Sequence, residues 1–523
     1  MKKKEVRSMQ RMVREDFLKK AEGLKPQLVQ TVRYPNHIVK IQKDDQGKGH
    51  IIEQENAEAL RTITMGKGET ICLDFEDHYV GYLTLHISTV GSPPDAPLFM
   101  KLKFGENATE ITDRAEDYDG WISRSWIQEE YIHVDVFPAV LTLPRRYAMR
   151  FLEIAVLDTS RKYKIRLDQV SFLSVSAVDA SKVSALSYGD ALLRRMDQVS
   201  IKTLEDCMQD VYEDGPKRDR RLWMGDLRLE AIANYETFRN YDLVKRCLYL
   251  FAGSRLENGA VGACLFTEPV IQVDDTYMYD YALFYVAVLL DYYEASGDIQ
   301  TARELWDVAY RQLEIGVQAL DGHFLIGEEN QAFLDWKAGL NKQAGAQGVL
   351  IYCLRCGIRL ADLLGYDVNR MEEWLERAVQ AAKDYLWDPE QRLFISGKER
   401  QISYASQVWM ILAQVWDTET NRELLDRILS LDPEMNMVTP YMNHHFVAAC
   451  ILCGEYERAM QYIRTYWGGM VQEGADTFWE LYNPKNKTES PYGSSIINSY
   501  CHAWSCTPTY FFRKYEQKWR QQQ

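Results

Sequence analysis

The densest set of chemically active side chains lies in the segment EDGPKRDRRLWMGDLRLE, residues 213–230. Its charged and aromatic residues are Asp214, Lys217, Arg218, Asp219, Arg220, Arg221, Trp223 and Asp226. One interpretation is a solvated loop before a helix, with Asp226 capping the helix N-terminus. The fixed turn Gly215-Pro216 and the tryptophan favour a second one, in which alternating acids and arginines orient carboxylates in a cleft.

A second candidate carboxylate is Glu480, which follows Phe478 and Trp479 in the segment EGADTFWELYNP. An aromatic setting removes water from a carboxyl group and raises its pKa towards the range useful for proton transfer. A glutamate at a helix start or rim is the alternative. The segment NSYCHAWSCTP, residues 498–508, adds His502 and Trp504, although a lone histidine is more often structural.

The patterns on either side of residue 180 predict two domains that would position these segments. Before it, short alternating segments such as TICLDF, YLTLHIS, FMKLKF, EYIHVDVF and FLEIAVLD predict a β-sandwich over residues 1–180. After it, about a dozen amphipathic segments predict helical hairpins. That number predicts an all-α (α/α)6 barrel over residues 181–523, with an open α-solenoid as the alternative.

Together the three segments resemble the glycoside hydrolase family 78 α-L-rhamnosidases. The family pattern Asp-x-Pro-x-Arg-Glu-Arg-x-x-Trp-x-Gly-Asp is similar to DGPKRDRRLWMGD at residues 214–226. The family pattern Gly-Ala-Thr-Thr-x-Trp-Glu resembles GADTFWE at residues 474–480, and LDWK at 334–337 and HAW at 502–504 also fit. The resemblance covers about residues 70–512, including the β-rich part.

The resemblance implies an inverting exo-glycosidase that releases terminal α-L-rhamnose. Asp219 occupies the position of the family's general acid, a glutamate, so the shorter side chain requires a closer backbone or substrate. Glu480 is implied as the general base, and Asp214 or Asp226 is the competing acid. Inversion predicts carboxyl groups about 6.5–9.5 Å apart. The expected substrate-binding residues are Asp214, Arg218, Trp223, Asp226, Trp336, Trp479, His502 and Trp504.

Two other functions stay open at this point. A glycosidase on the same fold could act on another sugar, because a fold does not fix the substrate. The missing glutamate also admits a catalytically inactive sugar-binding relative. The chain stops soon after its last predicted helix, so we expect a small rhamnosylated glycoside as the substrate and not a polymer.

The composition narrows the expected partners and location. The formal net charge of −15 disfavours nucleic-acid binding. The charged start MKKKEVRSMQRMVREDF lacks the apolar region of a secretion signal, and no stretch of 18 apolar residues occurs, so we expect a cytoplasmic protein without a membrane segment. The sequence does not determine the oligomeric state, and a homodimer is one possibility.

The sequence also predicts chemistry without a metal or an organic cofactor. Two CxxC pairs, CLRC at 353–356 and CILC at 450–453, could in principle hold zinc. Both lie in apolar stretches that read as buried helix and lack the glycine-rich knuckle of a zinc ribbon. We therefore interpret them as free thiols of the core, which suits a reducing compartment.

Overall fold

The structure of the chain is a computed structural model that describes residues 11–520. The first part is rich in strands, which are β1 (Arg11–Val13), β2 (Val29–Arg33), β3 (His37–Lys43), β4 (Gly49–Asn56), β5 (Thr70–Gly91), β6 (Leu98–Gly105), β7 (Glu129–Val134), β8 (Ala139–Thr142), β9 (Tyr147–Asp158) and β10 (Tyr163–Ser176). Shorter strands within the helical part are β11 (Leu222–Trp223), β12 (Ser254–Leu256), β13 (Cys264–Phe266), β14 (Gln272–Val273), β15 (Trp387–Asp388) and β16 (Leu393–Phe394).

The long strand β5 joins two halves of the antiparallel β-region. Its first half pairs with β3 and β9, and its second half pairs with β10 and β8. Between the two halves, the pairing of β5 with β9 shifts register between Asp74 and Tyr79. Apolar side chains from both halves fill one core, in which the rings of Phe75 and Phe172 lie 6.2 Å apart. The two predicted segments TICLDF and YLTLHIS are therefore parts of one strand.

The second part is helical. Its helices are α3 (Ala191–Cys207), α4 (Met224–Glu236), α5 (Tyr241–Gly253), α6 (Tyr279–Ser296), α7 (Ile299–Gln318), α8 (Gln343–Leu364), α9 (Asn369–Ala381), α10 (Tyr404–Leu412), α11 (Thr418–Leu431), α12 (Pro440–Leu452), α13 (Tyr456–Gln472), α14 (Pro508–Lys514) and α15 (Glu516–Arg520). Two short helices, α1 (Glu15–Gly23) and α2 (Ala108–Thr112), lie among the strands of the first part. The predicted order of a β-rich domain followed by a helical domain is confirmed.

The even-numbered helices from α4 to α12 contact one another in chain order. Helix α14 contacts α4, and the short turn Ala503–Ser505 contacts both α4 and α12. We call the even-numbered helices α4 to α14 the inner helices. Because the first of them, α4, also contacts the last, α14, the contacts favour the predicted closed barrel over an open solenoid. The odd-numbered helices from α3 to α13 each precede one of these inner helices in sequence.

Helix α6 illustrates how the sequence separates inner from outer helices. From Tyr279 to Leu290 every residue is buried, because apolar and aromatic side chains surround the helix axis on all sides. Helix α7, which follows, keeps an exposed polar face. Between them Gly297 takes a positive φ of 72°, and Asp298 accepts a hydrogen bond from the Thr301 amide at 3.1 Å. The segment YYEASGD, residues 292–298, therefore ends α6 at its glycine and starts α7 at its aspartate.

The N-terminal segment belongs spatially with the helices. Strand β1 pairs with β12, and α1 packs on α5 with the Phe17 ring 5.7 Å from that of Tyr249. The β-region therefore begins at β2 in space. The sequence-based domain boundary at residue 180 stays a prediction.

All ten cysteines are buried and free. Cys353 and Cys356 lie on α8, whereas Cys450 and Cys453 lie on or just after α12. Within residues 11–520 these four sulfur atoms do not form a cluster of three or more candidate metal ligands. Over the same range, no helix combines the length and apolar character that crossing a bilayer requires.

Candidate active site

Asp214 folds the loop that precedes α4. Its carboxylate oxygens accept hydrogen bonds from the backbone amides of Asp219 at 3.0 Å and Arg221 at 3.1 Å. Gly215 is required in this turn because a Cβ atom there would lie 2.5 Å from the Arg218 carbonyl oxygen. The structure thus uses Asp214 to shape the loop, a role that spacing alone did not reveal. Its predicted contact with sugar hydroxyls stays a prediction.

Glu480 is held by three donors on one side of the site. Arg218 Nη2 donates to Oε2, the Tyr492 hydroxyl donates to Oε1, and the Ser499 amide lies 3.3 Å from Oε2. Arg218 also donates from Nε to the Ile497 carbonyl oxygen at 2.7 Å. These buried, charge-assisted contacts fix the orientation of the Glu480 carboxylate.

Asp219 lies on the other side of the same arginine. Its nearer carboxylate oxygen is 3.9 Å from Arg218 Nη1, and its side chain is 26% exposed while that of Glu480 is 4% exposed. Burial raises the pKa of Asp219 above its ordinary value. Arg218 and Arg221 oppose that shift, and Glu480 and Asp274 add to it. The site therefore contains one paired carboxylate and one carboxyl group with a raised pKa.

Arg220, the other arginine beside Asp219, points away from the carboxyl pair. Its guanidinium donates to the carbonyl oxygens of Lys217 at 3.2 Å and Arg146 at 2.8 Å. The two arginines that flank Asp219 in sequence thus have separate tasks. Arg218 pairs with Glu480, and Arg220 ties the loop to the β-region.

Asp226 and His502 present polar atoms without partners. Asp226 lies in the first turn of α4, and its Oδ1 atom is buried without a hydrogen bond, 3.7 Å from the equally unpaired Nδ1 of His502. Burial is the main cause that raises the pKa of Asp226 well above its usual range, and the nearby charge of Asp214 adds to it. Burial is the main cause that lowers the pKa of His502 well below its usual range, and the positive charge of Arg218 adds to it. Buried polar atoms without hydrogen-bond partners are costly. That the two residues bind substrate stays a prediction.

An aromatic cluster adjoins these groups. Tyr281 contacts Trp223 edge-on at 6.3 Å and Phe333 at 5.9 Å, and Phe333 lies 5.3 Å from Trp336 and 5.7 Å from Trp504. The Trp504 indole donates to the Glu480 carbonyl oxygen at 3.0 Å, which joins the cluster to the segment that carries Glu480. Three of the four predicted tryptophans thus belong to one aromatic cluster next to the carboxylates.

Trp479, the fourth predicted tryptophan, has different neighbours. Its ring contacts Tyr482 at 5.8 Å and Tyr500 at 5.6 Å, and its carbonyl oxygen accepts the Ser505 hydroxyl. The contacts describe a residue that packs the segment around Glu480. Its predicted place in the pocket wall stays a prediction.

Sequence reasoning missed several residues that complete the site. Tyr492 lies in the irregular loop SPYGSS, where no periodicity indicates that its hydroxyl group donates to Glu480. Tyr281 and Phe333 read as ordinary core aromatics. Gly225, a glycine next to Asp226 in the motif, was the one hint in the sequence. In the structure a Cβ atom at Gly225 would lie 2.3 Å from Tyr281 Cζ. The glycine before Asp226 therefore marks a close approach of α4 and α6.

Comparisons with known proteins agree with this geometry. Residues 35–174 match the family model of the glycosyl hydrolase family 78 alpha-rhamnosidase N-terminal domain. Residues 181–515 match that of the bacterial alpha-L-rhamnosidase 6 hairpin glycosidase domain. A comparison with curated proteins gave no match.

Solved structures give the same result over the whole chain. A rhamnosidase from Klebsiella oxytoca with rhamnose bound is 43% identical, with a TM-score of 0.93, and the match covers 97% of this chain and 99% of that one. A family 78 rhamnosidase from Bacillus sp. GL1 is 20% identical with a TM-score of 0.72, covering 88% of this chain and 49% of that one. The Bacillus enzyme shares the fold, and the match covers about half of its length.

The fold and the carboxylate pair define a glycoside hydrolase. The chain belongs to glycoside hydrolase family 78, the α-L-rhamnosidases. The family and the class of enzyme predicted from the three motifs are therefore confirmed.

Proposed function

We propose that this α-L-rhamnosidase removes terminal L-rhamnose from small glycosides by inversion, with Asp219 as the general acid and Glu480 as the general base. The observation that carries the proposal is the unequal environment of the two carboxyl groups on either side of Arg218. One is paired and fixed, and the other is more exposed with a raised pKa. Enzymes assign acid and base roles to carboxyl pairs through such differences.

In the proposed reaction, Asp219 donates its proton to the oxygen of the leaving group. The Glu480 carboxylate takes a proton from a water molecule, which attacks the anomeric carbon from the opposite face. Arg218 and Tyr492 orient Glu480 for that attack. After the step Asp219 is ionised and Glu480 is protonated, so one proton must pass through solvent before the next turnover.

We propose that the cluster of Trp223, Trp336 and Trp504 selects for L-rhamnose. Rhamnose carries a methyl group at C6, and an apolar wall accepts a methyl group without cost. A hydroxymethyl group at the same place would lose hydrogen bonds to water, which costs about 1–3 kcal/mol. Asp226 and His502 would bind ring hydroxyls through their unpaired oxygen and nitrogen atoms.

A panel of 4-nitrophenyl glycosides tests this proposal. We expect turnover of the α-L-rhamnoside and, because of the aromatic cluster, kcat/KM about tenfold or more lower for the α-L-mannoside, which differs from it only by the hydroxyl group at C6. Equal turnover of the mannoside would contradict the proposed selection for the methyl group. Turnover of another glycoside alone would favour the second candidate, a glycosidase of different sugar specificity.

We further propose that the chemistry needs no metal and that the protein acts in the cytoplasm. A carboxyl pair suffices for glycoside hydrolysis, and ten free cysteines suit a reducing compartment. Activity should be unchanged in excess chelator. Loss of activity that zinc or calcium restores would contradict the metal-free mechanism.

A further inference from the structure

Glu230 is a buried carboxyl group that the proposed mechanism does not use. It lies on α4, four residues after Asp226, and its side chain is completely buried. Within residues 11–520, neither of its carboxyl oxygens has a hydrogen-bond partner. Buried carboxyl groups are normally paired or hydrogen-bonded, because their transfer out of water is costly. An acid without a partner in the core of the helical domain therefore requires an explanation.

The polar groups around Glu230 do not satisfy it. Arg228, which lies between the two acids on α4, donates to the His445 ring nitrogen at 2.9 Å and to the Tyr352 hydroxyl at 2.8 Å. The Tyr212 hydroxyl is buried and has no hydrogen-bond partner in the described part of the chain. Burial raises the pKa of Tyr212 well above its usual range, and the nearby charge of Glu230 adds to the shift. The arginine of this helix thus belongs to another network.

Asp226 is the group on α4 that Glu230 is placed to reach. Residues four apart lie on the same face of a helix, with about 5–6 Å between their Cβ atoms. Over the described range, Asp226 Oδ1 is also buried without a hydrogen-bond partner, as is His502 Nδ1, which lies 3.7 Å from it. Buried polar atoms without partners therefore follow one another from His502 through Asp226 to Glu230.

The protonation of Glu230 makes it a suitable donor. Burial is the main cause that raises the pKa of Glu230 well above its usual range, and the nearby charge of Asp226 adds to it. At neutral pH Glu230 is therefore an uncharged carboxylic acid, which both donates and accepts hydrogen bonds. Ordered water molecules commonly join buried polar atoms of this kind.

We propose that Glu230 is a positioning residue that fixes the Asp226 carboxyl group, through one ordered water molecule, for binding of the sugar. The inference rests on the proposed function, in which Asp226 binds a ring hydroxyl. Glu230 acts through Asp226 and not on the substrate. Keeping an acid at this position lowers stability, because an apolar side chain of similar size would suit the surrounding core better.

Substitutions of Glu230 test the inference, with the Kd of free L-rhamnose measured by calorimetry. Glu230→Leu removes the hydrogen-bonding group, so we expect Kd to rise about tenfold while the midpoint of thermal unfolding does not fall. Glu230→Gln has the shape of the neutral acid and keeps a donor and an acceptor, so Kd should stay within about threefold of the wild type. The control is Glu236→Gln at the end of the same helix, where the side chain is 24% exposed and lies 3.5 Å from Lys514. Its Kd should equal that of the wild type.

Combination with Asp226→Ala shows whether Glu230 acts through Asp226. With no carboxyl group left to position, adding Glu230→Leu to Asp226→Ala should change Kd by less than about twofold. A further tenfold rise would overturn the inference. So would unchanged binding by Glu230→Leu, a lower unfolding midpoint in that variant, or equal weakening by Glu230→Gln.

Failure of the proposed function would look different, because the wild type would then cleave no rhamnoside. The binding measurements would use the free sugar of whichever glycoside of the panel is cleaved. A crystal structure of the sugar-free wild type tests the contact itself, whatever the substrate. A water molecule within about 3.2 Å of both Asp226 and Glu230 would support the inference, and two carboxyl groups that share no water molecule would overturn it.

Discussion

Asp219 has two features expected of the proposed general acid, which are a partly exposed side chain and a raised pKa. Its side chain is the more exposed of the carboxyl pair, and burial nevertheless raises its pKa. Asp214, one competing acid, has both carboxylate oxygens engaged by backbone amides of its own loop. These contacts favour Asp219, although aspartate replaces the glutamate of the family pattern.

Replacing Asp219 by asparagine tests this assignment. The variant keeps the shape and loses the proton, so turnover of glycosides with poor leaving groups should fall about 10²–10⁴-fold. Activated aryl rhamnosides need little protonation and should lose much less. In the wild type, kcat/KM for the poor substrate should fall as the pH rises through the pKa of Asp219, and Asp219→Asn should remove that limb.

Two further variants complete the comparison. Asp275→Asn, which changes an exposed carboxylate in the loop after β14, should behave as the wild type. Asp226→Asn should weaken binding of the sugar and preserve the dependence on the leaving group. Near-normal turnover of Asp219→Asn on a natural rhamnoside, together with inactive Asp226→Asn, would mean that Asp226 is the acid.

The residues that a motif singles out lie together in the structure. Asp219 and Arg218 come from the run DGPKRDRRLWMGD and Glu480 from the GADTFWE segment, and Arg218 lies next to both carboxyl groups. Their catalytic roles stay a prediction. The sequence could not show that Asp214 bonds backbone amides, because that depends on the turn of the loop. Nor could it show Tyr492, which reaches Glu480 from an irregular segment.

At the scale of elements, the β-region holds in place the segments that carry Asp219 and Glu480. Arg146, which directly precedes β9, donates to Glu213 at 2.6 Å, and Arg150 on β9 lies 3.2 Å from Asp476. Lys217, one residue before Arg218, is buried and bonds Glu110 at 2.5 Å and the Asn498 carbonyl oxygen. The segments around Asp219 and around Glu480 are therefore both anchored to the β-region.

Lys217→Met tests the anchoring. The change leaves buried carboxylates without their partner, and breaking a buried ion pair costs about 3–5 kcal/mol of folding free energy. We expect a lower midpoint of thermal unfolding and a lower kcat, because the neighbouring Arg218 and Asp219 lose a fixed backbone. The control is Lys67→Met, whose 65% exposed side chain pairs with Asp158.

The control pair is exposed and should contribute at most about 1 kcal/mol. Equal unfolding midpoints for Lys217→Met and Lys67→Met would contradict the proposed anchor. A lower midpoint with unchanged kcat would make Lys217 a residue of stability alone.

The elements themselves were predictable where their period was long and regular. The helical hairpins followed from apolar spacing and from turns such as Gly297. The length of β5 did not, since a bulge interrupts its alternation and splits it into two apparent strands. Strands β2 to β4 were also unclear in sequence, because most of their side chains are exposed and carry little alternation.

At the scale of the whole molecule, the sequence could establish the two-part architecture and the family, because both depend on patterns that extend over many residues. The sequence could not show how the β-region and the helical domain are placed relative to each other. Contacts such as Lys217 with Glu110 join residues that lie 107 positions apart. The structure adds that the β-region touches the site at Tyr492 through Trp121 and Tyr118.

The central claim is that Asp219 and Glu480 act on opposite faces of the sugar, and the stereochemistry of the first product tests it most directly. Proton NMR of the reaction with an α-L-rhamnoside, recorded before mutarotation, should show β-L-rhamnose appearing first and the α-anomer growing later. Initial release of α-L-rhamnose would show net retention. That result would contradict the account, because it requires a covalent intermediate and carboxyl groups about 5–5.5 Å apart.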